Sequence, residues 1–379
     1  VRVVHVGKFH PPEYHGGLER VIQELNAALL AAGAEVGAVV AAVRGPTRTT
    51  TEAGVAVTRV RSLGAPLSQP IVPGFTRAVR TAAADLLHLH HPNPLGDLAV
   101  LRDARPFIVT HHSEIVRQRV LRPFYGPLVR RALERAAAVV VGSEQLLGVS
   151  RELAAVRDRV RVIPFGINAG RLAASTVVTA RAAELRAQAG GGPVVLAVGR
   201  LVRYKGFDVL LRAARGLDAT VVIVGSGPEE LRLRALARPR TVLTGRVDEA
   251  DLVAWYHACD VFCLPSTSIA EAFGIVLLEA MACGKPLVTT ALPTGVAAVN
   301  RDGRTGFVVP PGDEGALREG LRCLLNDARR RAAMGAEARA VQAREYGAGL
   351  MAERYLSVYR EVLRGGAGAA SRPARPAAR

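Results

Sequence analysis

The stretch GPVVLAVGRLVRYKG, residues 192–206, holds an unbroken apolar run, Val194 to Val198, between a proline and a glycine. A run that short, rich in valine and stopped by Gly199, reads as a strand buried on both faces, the kind found in parallel sheets. Cations follow its exit before Gly206, Arg200 and Lys205 among them. The same grammar extends in both directions. Upstream come VRVVHV, EVGAVVAAV, GVAVTRV, DLLHLHH, RPFIVTHH, AAVVVGS and RVRVIPFG, and downstream ATVVIVGSG, RTVLTG, DVFCLPS, KPLVTT and TGFVVPP. Longer helical patterns such as LERVIQELNAALLAAG lie between them, which is the alternation of strand and crossover helix. The fold class is α/β, with two doubly wound units in tandem.

The polar and small-residue stretches AGRLAASTVV and QAGGGP interrupt that rhythm and mark the boundary. The expected organisation is a first domain over 1–168 and a second over 169–343. A helix over 344–364 follows, and then a flexible basic tail over 365–379.

At 379 residues, 49% hydrophobic and 22% charged, the chain has the composition of packed globular domains. A formal charge of +17 calls for an anionic partner. Aromatic residues make up only 4%, too few for the stacking platforms of single-strand binders, so nucleic acid ranks below a membrane surface or a sugar nucleotide. Cys259, Cys263, Cys283 and Cys323 sit in apolar settings and read as reduced core residues, with no second close pair to complete a zinc set. No run of about 18 apolar residues is present. The expected location is the cytoplasm, or else the periphery of a membrane such as the inner face of the plasma membrane.

The chemistry concentrates at strand exits. In EAFGIVLLEAMACGKP, residues 271–286, Glu271 precedes a helix that starts near Phe273 and Gly274, and Glu279 lies within its first turns. A helix start at the carboxyl edge of a parallel sheet attracts phosphate, and flanking carboxylates accept hydrogen bonds from sugar hydroxyls. The blander reading makes Glu271 a helix cap and Glu279 a solvated residue. Arg200 and Lys205 suit a diphosphate, or else are solvated turn cations. Gly16 and Gly17 open another helix and allow close backbone approach, or simply make a tight turn. His111 and His112 end the run RPFIVTHH, where a histidine is more often structural.

Taken together, GRLVRYKG, the E-x-F-G-I-x-x-x-E spacing, HPPEYHGGLERVIQEL, HHSEIVRQ, VIPFGIN and ALPTGV resemble the retaining glycosyltransferases of family 4, which have the GT-B fold. Within that family they are most similar to a bacterial branch associated with mannosyl transfer in surface polysaccharide synthesis. The resemblance implies two Rossmann-like domains facing across a cleft, the last helix returning to the first domain. It implies that Glu271 holds the donor sugar's hydroxyls and Glu279 the ribose. Arg200 and Lys205 would bind the diphosphate with backbone groups at Gly16, Gly17, Gly274 and Ile275, while Ala272, Phe273 and Val276 complete the donor-binding stretch. His112 would contact the sugar near the reacting carbon, with His111 standing where the branch has tryptophan. Arg246 and Val247 would rim the nucleobase, and Gly225 and Gly227 would turn beneath the donor, although a structural turn fits those glycines equally.

The implied activity is hexosyl transfer with retention, from GDP-mannose or else a UDP-hexose, to a glycan or lipid-linked glycan such as a lipopolysaccharide precursor. No cofactor and no metal are expected. The competing readings are a hydrolysing epimerase of the same fold and a non-catalytic protein that binds nucleotide or anionic lipid.

Overall fold

The computed structural model describes residues 1–11, 16–65, 69–113 and 122–370, with the side chains of 122–124 and 366–370 excepted. The chain divides into two compact units. One comprises 1–142, 150–163 and the chain from 348 onward, and the other 143–149 and 164–347.

The first unit is built on eight strands: β1 (Arg2–Val6), β2 (Glu35–Ala41), β3 (Arg48–Glu52), β4 (Val55–Val60), β5 (Leu86–His91), β6 (Phe107–His111), β7 (Ala138–Val141) and β8 (Val160–Val162). Their order is β3-β4-β2-β1-β5-β6-β7-β8, parallel throughout except for the antiparallel pair β3–β4. Every strand read from sequence is present. β3, RTTTE, went unread because it is an edge strand of threonines with no apolar run to signal it. The helix Gly17–Ala31 buries Val21, Ile22, Leu25 and Leu29, spaced to form one stripe.

The helix Ala348–Ala370 belongs to this unit and packs on Gly17–Ala31. It begins at Ala348 because the preceding helix Ala328–Glu345 ends before Tyr346, and Tyr346 stays with the other unit. It also runs to Ala370, so the first residues expected as tail are helical, while 371–379 lie outside the described residues.

The second unit has six parallel strands: β9 (Val194–Val198), β10 (Thr220–Val224), β11 (Thr241–Gly245), β12 (Val261–Leu264), β13 (Leu287–Thr290) and β14 (Gly306–Val309). Their order is β11-β10-β9-β12-β13-β14, so the direction of winding reverses between β9 and β12. In unit one the reversal falls between β1 and β5. Such reversals open a crevice at the carboxyl ends of the two strands. Cys259 and Cys263 are buried beside this core, whereas Cys283 and Cys323 are only half-buried, a correction to the reading of all four as core.

Candidate functional site

At the reversal in the second unit, β9 leaves through Gly199 and Arg200 into a tight turn, Arg203–Lys205, before the helix Phe207–Ala213. Gly206 closes that turn at φ +65, where a Cβ would run into the Pro265 carbonyl. The close approach brings the exits of β9 and β12 together. Lys205, buried, places Nζ 2.5 Å from Glu271 Oε2, which also accepts from Ser266 Oγ at 2.9 Å. Burial pulls the Lys205 ammonium down, but Glu271 outweighs it and the net shift is upward, so Lys205 is charged at neutral pH.

Neither acid follows its blander reading. The helix Ile275–Ala282 is capped by Gly274 at φ +79 with no side-chain cap bond, so Glu271 is not the cap. Thr294 Oγ1 donates to the Glu271 carbonyl at 2.7 Å, which fixes the loop instead. Glu279, in the second turn, is 4% exposed rather than solvated. Tyr256 OH donates to its Oε2 at 2.6 Å and Arg171 pairs with its Oε1. Ala272 accepts from Gly295 N at 2.8 Å, and Phe273 packs against Phe165 with ring centroids 4.9 Å apart. Ile275 is buried and Val276 half-buried, and their N–H groups belong to the first turn, which has no intrahelical acceptors.

Arg200, just past β9, is exposed and its guanidinium has no ion pair or hydrogen bond among the described residues. Arg246, exposed, and Val247, half-buried, follow the edge strand β11. Gly225, at φ +141, and Gly227 hold the exits of β9 and β10 against each other, since a Cβ would strike the Gly199 and Leu201 carbonyls respectively. For both, close backbone packing is the role on view.

In the first unit, Gly16 is the extended N-cap of the helix Gly17–Ala31, and a Cβ on Gly17 would meet nothing within 4 Å. Glu19 is buried in that first turn, and burial lifts its carboxyl to about 7 against the pull of Lys8. His112 is buried, with Nε2 2.9 Å from His90 Nδ1, and His90 Nε2 lies 2.7 Å from His5 Nδ1. Burial, then His111 and His91, push His112 down to about 3, so it is neutral at pH 7.

Residues 15–171 match the family model described as Glycosyltransferase Family 4, and residues 183–341 the one described as Glycosyl transferases group 1. The O-antigen chain mannosyltransferase C of Escherichia coli is 30% identical across 96% of this chain and 99% of its own length. The chain belongs to the family 4 glycosyltransferases. The D-rhamnosyltransferase WbpZ of Pseudomonas aeruginosa is 37% identical over 68% of this chain and 69% of that one. A sucrose-phosphate synthase from Thermosynechococcus elongatus aligns with a TM-score of 0.79 at 23% identity, over 96% of this chain and 99% of its own, a likeness that speaks for the fold. That fold is GT-B.

Within this glycosyltransferase, sequence reading joined Lys205 to Glu271 in function, and the structure joins them in space. It missed Arg171 and Tyr256 as partners of Glu279. Arg171 lies in AGRLAASTVV, which looked like a linker because its residues are small. It also missed the histidines behind His112. The alternation in LLHLHH was the available signal: β-strand side chains alternate, so His88 and His90 share one face and His91 takes the other. No helix among the described residues is long and apolar enough to cross a membrane.

Proposed function

We propose that this glycosyltransferase moves a hexose, mannose from GDP-mannose, with retention of configuration onto a glycan or lipid-linked glycan acceptor in the synthesis of a cell-surface polysaccharide. The observation that carries the reading is the buried Lys205–Glu271 pair at the reversal between β9 and β12, beside a helix start. The relative that spans nearly its whole length supports the sugar and the pathway through its name, an O-antigen chain mannosyltransferase.

In this reading the diphosphate lies against the N–H groups of Gly274 and Ile275 at the start of the helix. Arg200 and Lys205 meet the negative charge that grows as the C1–oxygen bond breaks, an electrostatic contribution to catalysis. Lys205 can serve both partners because an ammonium has three N–H donors, one of them turned to Glu271. Glu271 keeps lone pairs for sugar hydroxyls, and Glu279 for the ribose. The acceptor oxygen bonds C1 on the face the diphosphate leaves, and its proton passes to the departing phosphate oxygen. His112, neutral, offers a hydrogen bond to the sugar. Cations of the chain fill the place of a metal at the diphosphate. The +17 charge supports peripheral residence on an anionic inner membrane face, where lipid-linked acceptors reside.

Thermal unfolding with GDP-mannose, UDP-glucose, UDP-galactose and UDP-N-acetylglucosamine, beside GDP and UDP, tests the donor, since a ligand of the folded state raises Tm. GDP and GDP-mannose are expected to act alone. A shift confined to the UDP series would reassign the base, and a product of inverted anomeric configuration by NMR would refute the mechanism. Turnover that rises with added magnesium would place a metal at the diphosphate.

A further inference from the structure

The carboxyl ends of β5 and β6 carry a second cluster of polar side chains, on the sheet face opposite His88 and His90. His91 and His111 are register partners with stacked rings, centroids 4.9 Å apart. Glu152, from the short helix Arg151–Ala154, brings a carboxylate oxygen to the same place, and one ligand atom from each of the three lies within 4.8 Å of the others. His91 and His111 are fully buried, and Glu152 is 11% exposed.

The spacing is wrong for hydrogen bonds. His91 Nε2 is 3.8 Å from Glu152 Oε2, beyond the 2.7–3.2 Å range of an N–H···O bond. Nε2 of His91 and Oε2 of Glu152 are buried without a hydrogen-bond partner among the described residues. Buried polar atoms of this kind are costly and rare. Ligand atoms held about 2.1 Å from a tetrahedral zinc stand about 3.4 Å from one another, so the three groups need only a small contraction to share an ion.

The surroundings complete the pattern. Asp97, fully buried, lies with Oδ2 3.5 Å from His91 Nδ1, the ring nitrogen turned away from Glu152, and that oxygen also accepts from Tyr125 OH. A carboxylate behind a ligating histidine fixes its tautomer and strengthens it as a ligand. We propose that His91, His111 and Glu152 bind a divalent transition-metal ion of the zinc class, with Asp97 as the group that positions His91.

The ion would tie down the strand end that bears His112, whose N–H donates to the His91 carbonyl at 3.0 Å. The site lies in the first unit, and its test does not use transfer activity. The full chain, stripped with a chelator and reloaded with zinc alone, is desalted and its metal content measured. About one zinc per chain is expected, with a rise in Tm on loading, and cobalt in its place should give the visible absorption of a tetrahedral centre. Glu152→Gln, nearly isosteric, should abolish retention while near-UV dichroism stays native. Asp97→Asn should weaken binding about 10- to 100-fold without abolishing it. A chain that keeps no zinc and shows no Tm shift overturns the proposal. Equal retention by wild type and Glu152→Gln overturns it too, and places the ion elsewhere, for instance at His5, His88 and His90.

Discussion

Replacing Lys205 by methionine removes the cation from a pair that is almost fully enclosed. At the observed 2.5 Å separation and an effective dielectric near 20, the gross attraction is about 7 kcal/mol. Much of it offsets the desolvation of two charges, and the measured cost of stranding one partner of such a pair is about 3–5 kcal/mol. In a domain of this size each kcal/mol moves Tm by roughly 2–4 °C, so Lys205→Met should lower the transition of the second unit by about 6–20 °C. Glu271→Gln should cost less above neutral pH. The stranded lysine can shed its proton, and the glutamine can still accept from Ser266 Oγ. The double variant removes both charges and should recover most of the loss, a coupling that a double-mutant cycle reads directly. Thermal melts followed by circular dichroism at pH 8 decide the matter, with GDP-mannose turnover measured in parallel. All three variants should be inactive, but Lys205→Met alone should be strongly destabilised at pH 8. A Lys205→Met variant that melts within about 2 °C of wild type would show the pair to be screened by water, and the argument from burial would fall.

Three further outcomes follow from particular contacts. Gly225→Ala must push its Cβ into the Gly199 carbonyl at a positive φ and should lower Tm sharply, whereas Gly17→Ala has open space and should leave Tm unchanged while raising the donor KM. An unchanged KM would remove Gly17 from the phosphate site. Glu19, with its carboxyl lifted to about 7, contributes stability that is complete below about 4.5 and is lost as pH rises through 7, about 3 kcal/mol in all. Glu19→Gln should therefore flatten the fall in Tm between pH 5 and 8, and an equally steep fall would refute the assignment. His5 and His112, both held down to about 3, contribute stability present above about 6.5 and lost as pH falls toward 3, so acid melts should drop in that window. A Tm constant from pH 7 to 4 would contradict it.

Much of the architecture was legible because it rests on local signals. A five-residue valine run between breakers can do little else than form a buried strand, and β1, β9 and β10 show it. The exception, β3, is instructive: Thr49, Thr50 and Thr51 pair with β4 along an exposed edge, where the sheet asks for β-branched residues without asking for apolar ones. The last helix was legible as a pattern but not in its limits. Its start depends on Tyr346, whose hydroxyl donates to the Ala298 carbonyl at 3.1 Å, a tertiary contact that no local reading contains.

The site divides along the same line. Residue types at a strand exit can be read from sequence, so Lys205 and Glu271 could be named, but partners contributed by distant segments could not. Glu279 shows what this costs. Its carboxylate is set by Tyr256 from one helix and by Arg171 from a stretch that looked like linker. Tyr256 is buried and Arg171 half-buried, and Arg171 is further held by Glu249 at 2.7 Å. A carboxylate already fixed by two donors has lone pairs left for a ribose and no rotamer freedom to lose on binding it. Arg171→Ala should therefore raise the Kd for nucleotide without removing any group that touches it, and Arg171→Lys should restore part of the affinity. If Arg171→Ala binds nucleotide as wild type does, the orientation of Glu279 is owed to Tyr256 alone.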